Sequence, residues 1–139
     1  MDAWLKQRAM KSEAARYART YVVCRDDVVV GYYALVMGSV VRTEAPGKLR
    51  RNAPDPIPVI ILARLAVDTG HQGHAIGAGL LKDGLLRSLQ ASSLVGARAV
   101  LVHAITAEAV RFYERFGFEA FPAGSQTLFL PIEAIAAAL

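Results

Sequence analysis

A dense run of glycines marks the segment of this chain that is best suited to bind a phosphate group. Residues 68–81 read DTGHQGHAIGAGLL, between an apolar stretch that ends at Val67 and a helical pattern that begins near Leu80. A glycine-rich turn between a strand and a helix presents free backbone N–H groups at the helix N-terminus, where phosphate binds. Glycine lets the backbone approach the ligand or adopt a positive φ. The segment therefore predicts a phosphate-binding loop.

The spacing of these glycines differs from that of the two commonest phosphate loops. The Walker loop ends in Gly-Lys-Ser/Thr, and no such triplet follows Gly77 or Gly79. The dinucleotide fingerprint G-x-G-x-x-G does not fit the positions of Gly73, Gly77 and Gly79. For this segment taken alone, an ordinary strand-to-helix turn stays an alternative interpretation.

A tyrosine on a predicted helix is the second residue that could do chemistry. Thr106 can cap this helix, Phe112, Tyr113 and Phe116 fall on one face, and Gly117 is placed to end it. A tyrosine hydroxyl can donate a proton as a general acid. The alternative is a core aromatic residue whose hydroxyl is satisfied locally, which is the commoner fate of a helical tyrosine.

Both segments resemble signatures of the GNAT acetyltransferase superfamily. Gln72, Gly73 and Gly77 match its coenzyme A pyrophosphate loop, Gln/Arg-x-x-Gly-x-Gly/Ala, in which Ala75 replaces the usual central glycine. Residues 109–118 are similar to its second signature, A-x-x-F-Y-x-x-x-G-F, whose tyrosine faces the coenzyme A thiol. We expect Ala75 to begin a helix with helical φ, a conformation in which alanine adds only a methyl group.

The resemblance implies acetyl-CoA as the co-substrate and Tyr113 as the general acid that protonates the departing thiolate. A backbone N–H of residues 65–67 would polarise the thioester carbonyl. The implied acetyl-CoA-binding residues are Leu65, Ala66, Val67, Gln72, Gly73, His74, Ala75, Ile76, Gly77, Ala78 and Phe112. No metal site is predicted, because the three histidines lack a metal-ligand spacing, and His103 is interpreted as a bystander.

The wider sequence is similar to one branch of the superfamily, the toxin acetyltransferases that are paired with ribbon-helix-helix antitoxins. Members of this branch acetylate the amino acid carried on charged tRNA and so stop translation. Residues 50–58 and 112–118 are the most specific parts of the similarity. The resemblance implies aminoacyl-tRNA as acceptor, a ribbon-helix-helix antitoxin as partner and a homodimer. Members usually carry an additional strand and helix before the segment that begins at Asp2. Either this chain has lost them or its start was placed too late, and we expect the fold described by this sequence to lack them.

Charge and acceptor chemistry favour the same substrate class. The net charge is +4 and the pI is about 9.5, so the basic residues are either a solvated surface or a tRNA-binding surface. An α-amino group titrates near ~7.7–8.0 and needs no strong base to become nucleophilic, whereas a lysine amine at ~10.4 would need one. The residues predicted to bind tRNA are Arg42, Lys48, Arg50 and Arg51.

Length and periodicity predict a single domain over residues 1–139 with three α/β/α layers and a mixed sheet. This agrees with the GNAT fold that the resemblance implies. We expect helices at 4–18, 75–90 and 106–116, strands at 20–25, 28–40, 58–67 and 97–103, and two closing strands near 118–121 and 126–130. Residues 42–58 are expected to be a long loop. No apolar run is long enough to cross a bilayer and no secretory signal opens the chain, so a cytoplasmic protein with no membrane partner is expected.

Two other functions remain open from the sequence. One is a GNAT enzyme that acetylates a small amine or a protein N-terminus. The other, suggested by the missing strand and helix, is a truncated protein that binds acetyl-CoA without catalysis.

Overall fold

The structure is a computed structural model that describes residues 18–68, 70 and 75–138. In these residues six strands are interleaved with four α-helices and one short 3-10 turn. The strands are β1 Arg19–Arg25, β2 Val28–Val40, β3 Ile57–Val67, β4 Ala99–His103, β5 Glu119–Ala120 and β6 Thr127–Pro131. The helices are α1 Gly47–Arg50, α2 Ile76–Val95, α3 Ala107–Glu114 and α4 Ile132–Ala138, and the 3-10 turn is Arg42–Glu44.

The strands form one mixed sheet in the order β1-β2-β3-β4-β6-β5. The pairs β1–β2, β4–β6 and β5–β6 are antiparallel, and β3–β4 is parallel. A parallel neighbour requires a crossover, and the chain between β3 and β4 supplies it with α2. The predicted α/β class with a mixed sheet is therefore confirmed. The predicted helix at 4–18 falls outside the described residues except for Ala18.

The hairpin between β1 and β2 follows directly from its two turn residues. Asp26 and Asp27 have φ values of 52° and 65°, the left-handed conformation that a tight hairpin turn needs at both central positions. Aspartate tolerates this region better than most residues. The turn places Arg25 opposite Val28 and confirms the predicted hairpin.

Three elements differ from the prediction. The long loop contains the 3-10 turn and α1, α2 continues to Val95 rather than ending near residue 90, and α4 follows β6. None of the described helices has the length and apolar character needed to span a bilayer.

The chain divides into two compact units, so the single domain predicted over residues 1–139 stays a prediction. In the first unit, whose described residues fall within 18–36 and 62–86, α2 packs closely on β2 and β3. A Cβ atom at Gly31 would lie 2.8 Å from Leu80 Cδ1, and one at Gly84 would lie 2.9 Å from Leu62 Cδ1. The Tyr33 hydroxyl also donates a hydrogen bond to the Asp83 carboxylate of α2.

The other unit, residues 37–61 and 87–139, has its own apolar core. In this core, residues of the segment between β2 and β3 pack against residues of the strands. A four-residue helix such as α1 is too short to be stable alone, so the burial of Leu49 stabilises it. Its buried members are Ala45, Leu49, Ile57, Val59, Ala99, Leu101 and Phe129.

Candidate active site

The carboxyl-terminal part of β3 contains an irregular backbone position. Arg64 has a φ of 60° within a strand that is otherwise extended, which is uncommon for a residue other than glycine. Such outliers mark bulges, where backbone groups leave the regular ladder, and they cluster at functional sites. Leu65, Ala66 and Val67 follow it and are half-buried. These are the residues whose N–H groups were predicted to face the thioester.

The predicted phosphate site includes the start of α2. Ile76, Gly77 and Ala78 form its first turn, where backbone N–H groups have no partner within the helix. The helix dipole has its positive end at this N-terminus, which favours binding of an anion. Thr69, His71, Gln72, Gly73 and His74 lie outside the described residues. The predicted contacts of Gln72, Gly73 and His74 with acetyl-CoA therefore stay predictions.

Ala75 contradicts the sequence expectation. Its φ is 59°, and α2 begins one residue later, at Ile76. The residue thus has the left-handed conformation that a glycine adopts without steric penalty, and an alanine there is disfavoured by roughly 1–2 kcal/mol. Its carbonyl still accepts a hydrogen bond from the Gly79 N–H at 3.0 Å. Ala75 therefore belongs to the turn. The glycine that the family usually has at this position would adopt its left-handed conformation without steric penalty.

The helix that carries Tyr113 is set by signals at both ends. The Thr106 hydroxyl accepts a hydrogen bond from the Ala109 N–H at 3.0 Å, which is an N-cap. At the other end Gly117 has a φ of 94°, and the Phe118 N–H donates to the Tyr113 carbonyl. Both predicted ends are confirmed, although Phe116 lies beyond the last helical residue.

Tyr113 itself is buried, with 7% of its surface exposed. Its ring makes edge contacts with Phe112 and Phe118 at centroid distances of 5.2 and 5.4 Å. Burial in these apolar surroundings raises the pKa of Tyr113 to about 12, because the phenolate would lose its hydration. The phenol therefore keeps its proton throughout the neutral range.

The Tyr113 hydroxyl has no hydrogen-bond partner among the residues that the structure describes. A core tyrosine normally satisfies its hydroxyl when buried. A protonated hydroxyl without such a partner in the described part of the chain is suited to donate to a ligand instead. The catalytic role of Tyr113 stays a prediction.

The four basic residues predicted to bind tRNA all lie at the surface, on the ordered segment between β2 and β3. Two of them have structural partners. The Arg42 guanidinium donates to the Arg50 carbonyl at 3.0 Å, and Lys48 Nζ forms an ion pair with Glu119 at 2.8 Å. Arg50 and Arg51 are exposed, and the Arg51 carbonyl accepts from Arg98 at 2.7 Å. Arg50 and Arg51 thus offer the least compensated positive charge of the four.

His103 ends a strand, as predicted, and makes a side-chain contact that the sequence did not reveal. It ends β4, and its Nδ1 lies 3.0 Å from the Thr127 hydroxyl of β6. Both residues line a cavity of about 640 Å³ within the second unit. Only the pairing of β4 with β6, a long-range contact, brings them together. Among the described residues no group of three or more metal-ligating side chains is assembled.

Comparison with known proteins gives a consistent family. Residues 16–120 match the family model described as an acetyltransferase (GNAT) domain. The chain is 49% identical, over 122 residues, to a tRNA-acetylating toxin of Mycobacterium tuberculosis, covering 88% of this chain and 74% of that one.

Solved structures of toxins share the fold. A tyrosine-to-phenylalanine mutant of KacT superposes with a TM-score of 0.89 at 28% identity, covering 98% of this chain and 84% of that one. AtaT complexed with acetyl-methionyl-tRNAfMet superposes with a TM-score of 0.88 at 28% identity, covering 97% of this chain and 83% of that one. AtaTR bound with AcCoA gives 0.83 at 29% identity, with 97% and 82% covered. An AtaT mutant bound to the C-terminus of the antitoxin AtaR gives 0.82 at 27% identity, with 97% and 79% covered.

Proposed function

The chain belongs to the GNAT acetyltransferase family, and we propose that it transfers the acetyl group of acetyl-CoA to the α-amino group of an amino acid carried on tRNA. Acetylation of that amine removes the nucleophile of peptide-bond formation, so the enzyme acts as a toxin that stops translation. The observation that carries this proposal is the 49% identity to a tRNA-acetylating toxin over most of the chain. The similarity to AtaT, which was solved with acetyl-methionyl-tRNAfMet, supports it.

Acetyl-CoA is proposed to bind through backbone groups. The N–H groups at the start of α2, with those of Gln72, Gly73 and His74, hold the pyrophosphate. An N–H in the segment 65–67, which follows the irregular Arg64, donates to the thioester oxygen and stabilises the negative charge that develops there. Phe112 contributes an apolar surface beside Tyr113.

The acetyl transfer requires an acid for the leaving group. The amine nitrogen bonds to the carbonyl carbon, the C–S bond breaks, and the Tyr113 hydroxyl gives its proton to the departing sulfur. The proton lost by the amine returns through solvent to the phenolate. A thiol titrates at about 8.5, so donation from a phenol at about 12 is uphill by roughly 5 kcal/mol. The positioning of the phenol beside the sulfur must offset this free-energy cost. The proton moves from the phenol to the sulfur as the C–S bond breaks.

The tRNA is proposed to lie on the basic surface of the segment between β2 and β3. Arg50 and Arg51 make phosphate contacts that position the acceptor end without reading its sequence. Arg42 and Lys48 add positive charge near the same surface, and each also has a partner within this chain, the Arg50 carbonyl for Arg42 and Glu119 for Lys48. Such binding weakens as salt concentration rises, because each contact releases counterions.

The regulatory partner is proposed to be a ribbon-helix-helix antitoxin. The AtaT structure with the C-terminus of the antitoxin AtaR supports an antitoxin that contacts the toxin through its tail. We further propose a homodimer that works in the cytoplasm, where charged tRNA is found.

The decisive assay incubates the purified protein with labelled acetyl-CoA and bulk aminoacylated tRNA, with uncharged tRNA as control. Label on charged tRNA alone is expected. Label on small amines or peptide N-termini, with none on tRNA, would instead establish the second enzyme function. Binding of acetyl-CoA without label on any acceptor would identify a non-catalytic protein.

The role of Tyr113 is tested by Tyr113→Phe, which removes only the hydroxyl. Transfer should fall at least a hundredfold while acetyl-CoA affinity stays within twofold, because the ring contacts remain. Tyr21→Phe is the matched control, since it removes a tyrosine hydroxyl on β1, and it should keep full activity. Full activity of Tyr113→Phe would exclude the assigned acid.

The basic surface is tested by Arg50→Gln and Arg51→Gln. The KM for charged tRNA should rise in each variant and the salt dependence of binding should become shallower by about one counterion. Arg87→Gln, an exposed charge removed from α2, is the control. Equal effects of the variants and the control would show that only net charge matters.

A further inference from the structure

A cavity of about 640 Å³ lies within the second unit, beside the segment that carries the basic residues. Its volume is in the range of sites that enclose small molecules. Its apolar wall includes Ile61, Leu101 and Phe129, which come from three neighbouring strands. The cavity therefore has a preformed floor on the sheet.

The polar groups of this cavity do not suit a phosphate. Its described lining contains no lysine or arginine, and its one carboxylate is Glu44. Glu44 follows Arg42 in the same 3-10 turn. One short turn thus presents a cation to the basic surface and a carboxylate to the cavity. A ligand with an amino group at one end and phosphates nearby fits this separation of charge.

His103 supplies a second polar group with a fixed orientation. The Thr127 hydroxyl lies 3.0 Å from its Nδ1, so the imidazole is held through this nitrogen and Nε2 is the nitrogen left for a ligand. Both residues line the cavity. An imidazole with one nitrogen engaged has its other nitrogen available for a hydrogen bond with a ligand group.

The cavity lies at the end of the hydrogen-bonded pairing between β3 and β4. The parallel pairing of β3 with β4 is formed at three positions and its last pair is Ile61 with Leu101. β3 continues to Val67 and β4 to His103 beyond this pair. Ile61, Leu101 and His103 all line the cavity, so it begins where these strands cease to be hydrogen-bonded. Ligand sites commonly form outside the carboxyl ends of parallel strands.

We propose that this cavity binds the aminoacyl group of the acceptor, with the α-amino group at His103 and Glu44 and the amino-acid side chain against Ile61, Leu101 and Phe129. The inference rests on the proposed function and extends it to the residues that select the amino acid. His103 and Glu44 position the amine, and the apolar wall limits the size of the side chain.

The positioning role is tested by steady-state kinetics with charged tRNA and acetyl-CoA varied separately. Glu44→Gln and His103→Asn should each raise the KM for charged tRNA about tenfold and leave the KM for acetyl-CoA unchanged. His103→Asn keeps a polar atom near Thr127 and loses the distal nitrogen, whereas His103→Gln restores an atom near that nitrogen and should recover part of the loss. Glu133→Gln, an exposed carboxylate on α4, is the control.

The specificity role is tested by narrowing the cavity from its rim. Thr43 is exposed and lines the cavity, so Thr43→Trp reduces its volume without disturbing the core. The ratio of kcat/KM for a large aminoacyl group to that for glycyl-tRNA should fall at least tenfold. Ser93→Trp adds the same side chain on the exposed end of α2 and should leave this ratio unchanged.

The outcomes separate the two proposals. If the wild-type protein acetylates no charged tRNA, the proposed function fails. If the wild-type protein is active but Glu44→Gln, His103→Asn and Thr43→Trp keep wild-type KM values and selectivity, the cavity is not the aminoacyl site and the proposed function stands. A general loss of activity without a change in selectivity for Thr43→Trp also contradicts the assignment, provided that its urea unfolding midpoint matches that of Ser93→Trp.

Discussion

Burial of Tyr113 has a consequence for stability that can be measured without any substrate. The charged form of a phenol is the deprotonated one, and burial raises the pKa of Tyr113 from 10.0 to about 12. Below pH 10 the group is neutral in both the folded and unfolded states, and its full contribution to stability is present. As pH rises from 10 to 12 the unfolded chain ionises first, so stability is lost.

The magnitude follows from the size of the pKa difference. Two pKa units correspond to about 2.7 kcal/mol, which is the loss expected once pH exceeds both values. At pH 11, halfway between them, about 1.4 kcal/mol should be lost relative to pH 8. This is a sizeable part of the 5–15 kcal/mol that typically separates a folded domain from its unfolded chain.

The assay is urea-induced unfolding of the wild-type protein and Tyr113→Phe at pH 8 and pH 11. Lysines and the other tyrosines titrate in both proteins, so the difference between the two pH-dependent losses isolates Tyr113. The wild type should lose about 1.4 kcal/mol more than the variant. A parallel titration of phenolate absorbance should show one fewer high-pH transition in Tyr113→Phe. Equal losses in the two proteins, within about 0.3 kcal/mol, would refute the argument that Tyr113 is shielded from water.

Three further substitutions test the fold that carries the site, all measured by urea denaturation at neutral pH. Gly31→Ala should destabilise the protein by about 1–3 kcal/mol, because the new methyl group would lie 2.8 Å from Leu80 Cδ1 and 3.3 Å from the Ala66 carbonyl oxygen; an unchanged midpoint would show that the Leu80 side chain makes room without cost. Thr106→Ala should lower stability by about 1 kcal/mol through loss of the helix cap, and Thr106→Ser should recover most of it. Lys48→Ala should change stability by less than about 1 kcal/mol, because the ion pair with Glu119 joins side chains that are 47% and 58% exposed; a larger loss would indicate that the pair holds the basic segment in place.

The sequence predicted the strands, the hairpin and both ends of the helix that carries Tyr113. These features depend on short-range signals, such as the paired aspartates of the turn and the cap formed by Thr106. The predicted strand and helix bounds therefore lie within a few residues of the observed ones in most elements. The mixed sheet followed from the resemblance and from the order of elements.

Features that depend on tertiary contacts were not predictable. α1 is only four residues long and has no periodicity to detect, and it exists because Leu49 is buried in the core. The conformation of Ala75 is set by the turn that leads into α2, whereas the sequence favoured a helical alanine. His103 was interpreted as a bystander, because only the pairing of β4 with β6 reveals its contact with Thr127.

The core beneath the segment between β2 and β3 affects the free energy of binding a large anionic partner, because it decides whether the segment must become ordered on binding. Leu49 and Ala45 are buried, and the Arg42 N–H donates a hydrogen bond to the Asp55 carboxylate, so contacts within the chain itself hold the segment. Ordering a flexible segment would cost about 1–2 kcal/mol per residue and would bury new apolar surface. Here the chain's own contacts supply that ordering. If tRNA binds at this surface as proposed, we expect its association to show a small heat-capacity change, a strong salt dependence and an electrostatically steered rate.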